Sequence, residues 1–196
     1  EKLADKEIDI CFFNGGIRNS ENEKIARLLR EKAKVLVAFG SCSHLGGIPG
    51  LANLYDLENM LERVYDTAPS LDESRGTRPQ TVNTVPEGEI ELPELQPRVR
   101  TLAQTVDVDY FMPGCPPVVD QVWDVFQAAL AGKLPPKGSV IGAGEKTVCD
   151  VCTREKGMSG VRIKEFKRPH EVELDPDICF LRQGVICYGP VTRAGC

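Results

Sequence analysis

Lys34-Val35-Leu36-Val37-Ala38-Phe39-Gly40-Ser41-Cys42 is the stretch that decides the fold of this 196-residue chain. The apolar run from Val35 to Phe39 lacks the polar alternation of a strand with one wet face. It therefore predicts a strand buried on both faces, as in a parallel sheet. Gly40 breaks the run, and a cysteine follows two residues later. A thiol is thereby placed at the carboxyl end of a buried strand, where open α/β sheets gather their ligands.

Working outward, the same arrangement recurs. Upstream, Ile8-Asp9-Ile10-Cys11-Phe12-Phe13 predicts a short strand ending in the turn Asn14-Gly15-Gly16. Asn19-Ser20 is placed to cap a helix from Glu21 to Lys32, with Ile25, Leu28 and Leu29 at helical spacing. Downstream, a glycine-rich loop is expected over 40–50, a helix near Leu57 to Tyr65, and a long polar loop over 66–96. A short helix around Val99 to Thr105 then leads to a third strand, Val106 to Met112, which ends in Pro113-Gly114-Cys115-Pro116-Pro117. A helix from Val118 to Ala131 would turn Val122, Trp123, Phe126 and Leu130 inward. Strand and helix alternating in this way predict an α/β fold, a flavodoxin-like doubly wound parallel sheet. From Lys133 the character changes to Pro135-Pro136, many charges and dense cysteines. Two domains are expected, 1–132 and 133–196, the second small, irregular and suited to binding an iron–sulfur cluster.

The chain has eight cysteines, and their spacing points to bound metal. Cys149-x-x-Cys152, a gap of 26 residues, Cys179, a gap of seven and then Cys187 supply four thiolates, enough for a cubane cluster. Spacing alone fits a structural zinc ribbon equally well. Cys42 and Cys115 tip the balance toward iron and sulfide, because a zinc ribbon leaves them unexplained. The glycine ahead of each lets backbone amides come close to inorganic sulfide, and the two prolines after Cys115 stiffen that loop. Cys11 reads as core packing, His44 and His170 as structural, and Asp107, Asp109 and Asp120 as solvated caps.

Composition excludes other classes. A formal charge of −5 with no basic block disfavours nucleic acid and anionic membrane surfaces. No run reaches about 18 apolar residues, so no membrane-spanning helix is expected. Glu1-Lys2-Leu3-Ala4-Asp5-Lys6 resembles neither a signal nor a transit peptide, which points to the cytoplasm and to reduced thiols. No GxGxxG, P-loop or Ser/His/Asp arrangement supports catalysis on an organic substrate. Both ends of the chain read as cut or processed.

Several stretches carry a family resemblance. They are Gly40-Ser41-Cys42-Ser43-His44-Leu45-Gly46-Gly47-Ile48-Pro49-Gly50-Leu51-Ala52-Asn53-Leu54-Tyr55, Pro113-Gly114-Cys115-Pro116-Pro117, Cys149-Asp150-Val151-Cys152, Phe166-Lys167-Arg168-Pro169-His170-Glu171 and Gly189-Pro190-Val191-Thr192-Arg193-Ala194-Gly195-Cys196. With them the sequence resembles the small, electron-transferring subunit of [NiFe] hydrogenases. It is most similar to cytoplasmic methyl-viologen-reducing enzymes that work with heterodisulfide reductase, and to NAD-linked or bifurcating complexes. The first two motifs are shared with a related complex I subunit.

The resemblance implies roles residue by residue. Cys42 and Cys115 would be two ligands of a proximal [4Fe–4S] cluster, whose other two come from an earlier CxxC loop that this chain lacks. Cys149, Cys152, Cys179 and Cys187 would hold a distal cluster, with Cys149 standing where many relatives have histidine. Cys196 would be the first ligand of a medial cluster. A separate large subunit would hold nickel and iron and split hydrogen, and electrons would pass to a flavin- or iron–sulfur-containing acceptor subunit. The face from Ser43 to Tyr55 would pack on the large subunit. Alternatives are a quinone-reductase-type subunit with a single cluster, a structural-zinc binding protein, and a scaffold that has lost a cluster.

Overall fold

The computed structural model describes residues 2–72, 78–157 and 160–194. It divides into two compact units, Glu1–Ile141 and Gly142–Cys196.

In the first unit a parallel sheet runs in the order β1 (Ile8–Asn14), β3 (Ala33–Phe39), β7 (Tyr110–Met112). Its register places Phe12 beside Val37 and Val37 beside Tyr110. Because side chains alternate along β3, the run read as doubly buried serves two cores. Leu36 and Ala38 join Phe13, Ile17, Ala26 and Leu102 on one face. Val37 joins Met112, Val125 and Ile141 on the other, with Val35 and Phe39 packed against them. Each fully buried aliphatic side chain here contributes about 1.5–3 kcal/mol. Helix α1 (Ser20–Lys32) covers the first face through Ala26 and Leu29, and helix α4 (Val119–Leu130) the second through Val122 and Val125. The expected doubly wound parallel sheet is borne out.

Local chemistry sets these boundaries. The Asn19 side chain accepts from the Asn22 N–H (2.8 Å), and the Asn22 side chain accepts in return from the Asn19 N–H (3.3 Å). That reciprocal cap starts α1, whose first turn is acidic and last turn basic, as its dipole favours. Glu23 ties α1 to β6 (Leu95–Arg100), where the Arg100 guanidinium and Gln96 reach it. Together Arg27, Arg100 and Gln96 hold the Glu23 carboxyl down to about 2.

Several details differ from the sequence reading. Residues 40–45 form a short helix, α2 (Gly40–Leu45), followed by a 3₁₀ turn at Pro49–Leu54, rather than a loop. The helix α3 (Leu57–Tyr65) is present. The segment 66–96 contains a hairpin of β4 (Val82–Val85) and β5 (Gly88–Glu91). Its residues are almost all exposed, so no apolar pattern could announce it. Val99 and Arg100 belong to β6, paired antiparallel with β2 (Ile17–Asn19), and only Leu102–Gln104 is helical. The third strand is shorter than expected, Val106 to Asp109 being an approach to it. Asp109 is no solvated cap. Its side chain accepts from the Leu36 N–H (2.8 Å) and pairs with Arg30 (2.5 Å).

In α4 the inward positions are Gln121, Val122 and Val125, while Trp123 is 57% exposed and Leu130 73%. The stripe Val119, Trp123, Phe126, Leu130 therefore faces outward, with Trp123 and Phe126 stacked at 6.0 Å. In α1, Ile25 is likewise exposed, because Ala26 occupies the close-packed position. Residues 133–141 stay with the first unit, where Phe111 N–H donates to Ser139 O (3.1 Å) and Ile141 N–H to Phe111 O (2.8 Å).

The second unit has little regular structure. It holds a one-turn helix, α5 (Val148–Val151), and 3₁₀ turns at Pro169–Glu171, Phe180–Gln183 and Gly189–Val191. Backbone pairs join its distant parts, Val148 N–H to Thr192 O (2.8 Å) and Cys179 N–H to Glu155 O (3.0 Å). Among its described residues the buried apolar side chains are Cys179 and Val185. So small a core rarely holds a unit together without a covalent or metal cross-link.

Candidate functional site

Two groups of thiols stand out, one in each unit. The first is at the carboxyl ends of the neighbouring strands β3 and β7. Gly40, at φ +83°, turns the chain from β3 into α2, and the Ser41 N–H donates to Gly114 O (2.7 Å). In return the Gly114 N–H donates to Ser41 Oγ (3.3 Å). Two loops 73 residues apart are thus clasped, and they carry Cys42 and Cys115. Gly114 has φ +140°, and a Cβ there would lie 2.5 Å from both N and Cα of Pro117, so only glycine fits. Gly47, at φ +52°, approaches so closely that its Cβ would lie 3.0 Å from Cys42 Sγ. Cys42 is half-buried and Cys115 exposed.

Two further residues position these loops, and the sequence reading gave neither of them that role, though Asn53 lies within the Gly40 to Tyr55 stretch. Buried Gln121 donates from Nε2 to Pro113 O (3.1 Å) and accepts from the Val118 N–H (3.2 Å), which fixes the Cys115 loop to α4. Asn53 makes paired 2.8 Å bonds to the N–H and C=O of Val99, which pin the turn after Cys42 to β6. The available signal was Gln121 itself, a polar residue at a core-facing helical position. His44 stacks on Phe111 with centroids 4.7 Å apart, and Cys11 packs against the core, where burial pushes its thiol up.

The second group lies in the irregular unit. The Cys149 and Cys187 sulfurs flank Gly189, where a Cβ would lie 3.2 and 3.5 Å from them. The Gly189 N–H points at Cys187 Sγ (3.4 Å). Burial pushes the Cys149 thiol up, Lys156 opposes this, and the negative charges of Cys187, Cys179 and Cys152 add to it. Cys152, Cys179 and Cys187 thus each lie close enough to Cys149 for their charge to be felt there. Cys152 is shifted the other way, held down by the Arg154 backbone N–H against the push of burial, with help from the Arg154 and Lys156 side chains. Lys156 Nζ donates to Cys149 O and to Cys152 O (3.1 Å). His170 sits in an exposed 3₁₀ turn. Cys196 lies outside the described residues.

Among the described residues no three His, Cys, Asp or Glu side chains are arranged to hold a single metal ion, and none of the described cysteines is disulfide-bonded. Two thiols about a glycine cradle, two more close enough to feel Cys149, and an N–H aimed at sulfur suit a multi-atom iron–sulfur cluster, which spaces its ligands around a cube. Cys42 and Cys115 bring only two thiols to the first group.

Residues 1–129 match the family model described as NADH ubiquinone oxidoreductase, 20 Kd subunit. The chain belongs to this family. Within it, the whole chain is 44% identical over 199 residues to the iron-sulfur subunit of the F420-non-reducing hydrogenase of Archaeoglobus profundus, covering 62% of that protein. It is 37% identical to the corresponding F420-non-reducing hydrogenase subunit of Methanothermobacter marburgensis, with 97% of this chain and 57% of the relative covered. Against the delta subunit of the NAD-reducing hydrogenase HoxS of Cupriavidus necator it is 27% identical over 63% of its length, covering 56% of that protein. A crystal structure of NAD+-reducing [NiFe]-hydrogenase in the H2-reduced state superposes with a TM-score of 0.55 at 34% identity, over 69% of this chain and 73% of that one. The resemblance to small subunits of [NiFe] hydrogenases is thereby borne out. The chain spans about three-fifths of the length of the curated relatives it matches. Among the described residues no helix is long and apolar enough to cross a membrane.

Proposed function

We propose that this chain is the electron-transfer subunit of a cytoplasmic [NiFe] hydrogenase, working between a nickel–iron site in a large partner subunit and a flavin- or iron–sulfur-containing acceptor. The observation that carries this reading is the pair of thiols, Cys149 and Cys187, set about Gly189 with Cys152 and Cys179 close enough to Cys149 for their charge to be felt, in a unit with almost no apolar core among its described residues. That unit lies beyond the residues matched by the quinone-reductase family model, whereas the hydrogenase relatives cover it. A single-cluster quinone-reductase subunit has no use for it.

Cys149, Cys152, Cys179 and Cys187 would hold a distal [4Fe–4S] cluster, and Cys42 and Cys115 would give two ligands to a proximal one. Cys196 is assigned to a medial cluster. When bound, such clusters supply reversible one-electron carriers. This chain's own residues do the rest. The Ser41–Gly114 clasp fixes the Cys42 loop beside the Cys115 loop, and Gln121 holds the second loop still. Glycines at 47 and 189 keep side-chain bulk away from the sulfurs. Next to Cys42, the side chains of Leu45, Ile48, Leu51, Leu54 and Tyr55 are all exposed, which is an apolar face suited to the large subunit. Covering it would exclude water from the proximal site and make charge there respond more strongly to its surroundings.

The test is metal and acid-labile sulfide analysis of the anaerobically purified native complex. Iron and sulfide on this chain, with nickel in its partner, is the expected result. Iron and sulfide without nickel would favour the quinone-reductase or scaffold alternatives. Zinc without sulfide would end the electron-transfer reading.

A further inference from the structure

Two cations are built into the second thiol group, and no ligand role accounts for them. Lys156 donates to the carbonyls of Cys149 and Cys152 together, so its ammonium is held against the turn that carries both thiols. Arg154 reaches Cys152 Sγ with Nη1 at 4.0 Å. Its guanidinium is fixed from two other sides, by Nε donating to Pro176 O (2.9 Å) and by lying 4.3 Å over the Phe180 ring. Both residues are half-buried, where charge is poorly screened. On the same turn the Asp150 carboxylate accepts from the Thr147 N–H (2.7 Å) and hydroxyl (2.8 Å) and shares its charge between Lys146 and Lys156, so it offsets Lys156 only in part. The neighbouring Glu155 is committed to Arg182 (2.7 Å).

We propose that Lys156, with Arg154 in support, raises the reduction potential of the cluster held by Cys149, Cys152, Cys179 and Cys187. The inference rests on the cluster assignment above. Adding one electron makes a thiolate-ligated cluster more negative by one unit. A fixed ammonium beside two of its ligands stabilises that reduced form more than the oxidised one. N–H donation to a ligand sulfur acts in the same direction by drawing electron density from it. Lys156 and Arg154 are tuning residues, not ligands. Their effect is to make this cluster a favourable place for an electron to wait before it leaves the chain.

The experiment is a redox titration followed by electron paramagnetic resonance on the complete complex, reading the cluster signal that Cys149→Ala removes. Lys156→Met should retain iron and sulfide and shift the midpoint to a more negative potential. Lys156→Arg, which keeps the charge and can still reach the carbonyls, should stay near wild type. Arg154→Gln should give a smaller negative shift, and it supplies the reading should Lys156→Met lose its cluster. An unmoved midpoint in a cluster-retaining Lys156→Met or Arg154→Gln variant overturns the proposal. So does a shift in Lys156→Arg equal to that in Lys156→Met, since the lysine would then act by shape and not by charge. If Cys149→Ala removes no cluster signal at all, the fault lies with the cluster assignment itself.

Discussion

Gly114 shows how narrowly single residues constrain this protein. Its backbone, at φ +140°, lies in a region that side chains avoid, and Pro117 leaves no room for a Cβ. Gly114→Ala should therefore cost about 2 kcal/mol or more and displace Cys115. A lowered thermal midpoint with depleted iron in the purified complex would show it, and a wild-type midpoint would refute the strain argument. Asp109 is decisive in a different way. Burial pushes its carboxyl up, but Arg30, the Leu36 N–H and Lys137 outweigh this and hold it below the ordinary carboxylate range. Since the folded value lies below the unfolded one of about 3.9, its stabilisation is complete above that pH and fades as pH falls through the folded value. Asp109→Asn should cost about 2 kcal/mol near neutrality, because it removes the charge that half-buried Arg30 pairs with. It should also remove part of the acid limb of the stability profile. Denaturation measured at several pH values checks both, and an unchanged acid limb would count against the pair. Cysteine spacing announced the thiols, but nothing local marked Asp109 as half-buried and paired. Its partners lie 73 and 79 residues away in sequence.

At the scale of elements, α4 is the instructive case. The sequence predicts Val122, Trp123, Phe126 and Leu130 inward, yet the helix turns Gln121, Val122 and Val125 to the sheet and leaves Trp123 and Leu130 exposed. The reason is positional. Gln121 must reach Pro113 O to hold the Cys115 loop, and that fixes the rotation of the helix. Val125→Ala should cost about 2 kcal/mol by opening a cavity, whereas Trp123→Ser should change the stability of this chain by no more than about 0.5 kcal/mol. Chemical denaturation of the two variants side by side decides between the two rotations. The reverse ranking would restore the rotation suggested by sequence. The strand β3 was legible because burial on both faces leaves an unbroken apolar run, and β1 because its apolar residues end in the turn Asn14-Gly15-Gly16. The β4–β5 hairpin was not, because backbone pairing between exposed residues writes nothing into the hydrophobic pattern.

At the scale of the whole molecule, the proposed role makes the two thiol groups separable in kinetics. Cys152→Ser should slow electron delivery to the external acceptor severalfold while leaving hydrogen–deuterium exchange by the complex close to wild type. Equal loss of both activities would remove Cys152 from an outlying position in the chain of carriers. The apolar face beside Cys42 should behave as an interface. Leu51→Asp or Leu54→Asp should weaken capture of the large subunit at least tenfold, about 1.4 kcal/mol, without unfolding this chain. Both side chains are already exposed, so unfolding in either variant would mean they have a core role instead.

The sequence by itself determined the parallel α/β sheet, since five apolar residues in a row ending in Gly-Ser-Cys admit few other readings. It also determined the positions of the thiols and, through their motifs, the family likeness. Only the tertiary structure decided which loops are clasped, which face of α4 is inward, and which cations stand beside Cys149 and Cys152. The physical reason is range. Hydrophobic periodicity and turn chemistry act over a few residues and are written locally. Hydrogen bonds such as Ser41 to Gly114, or Arg154 to Pro176, join residues that meet only when the chain has folded.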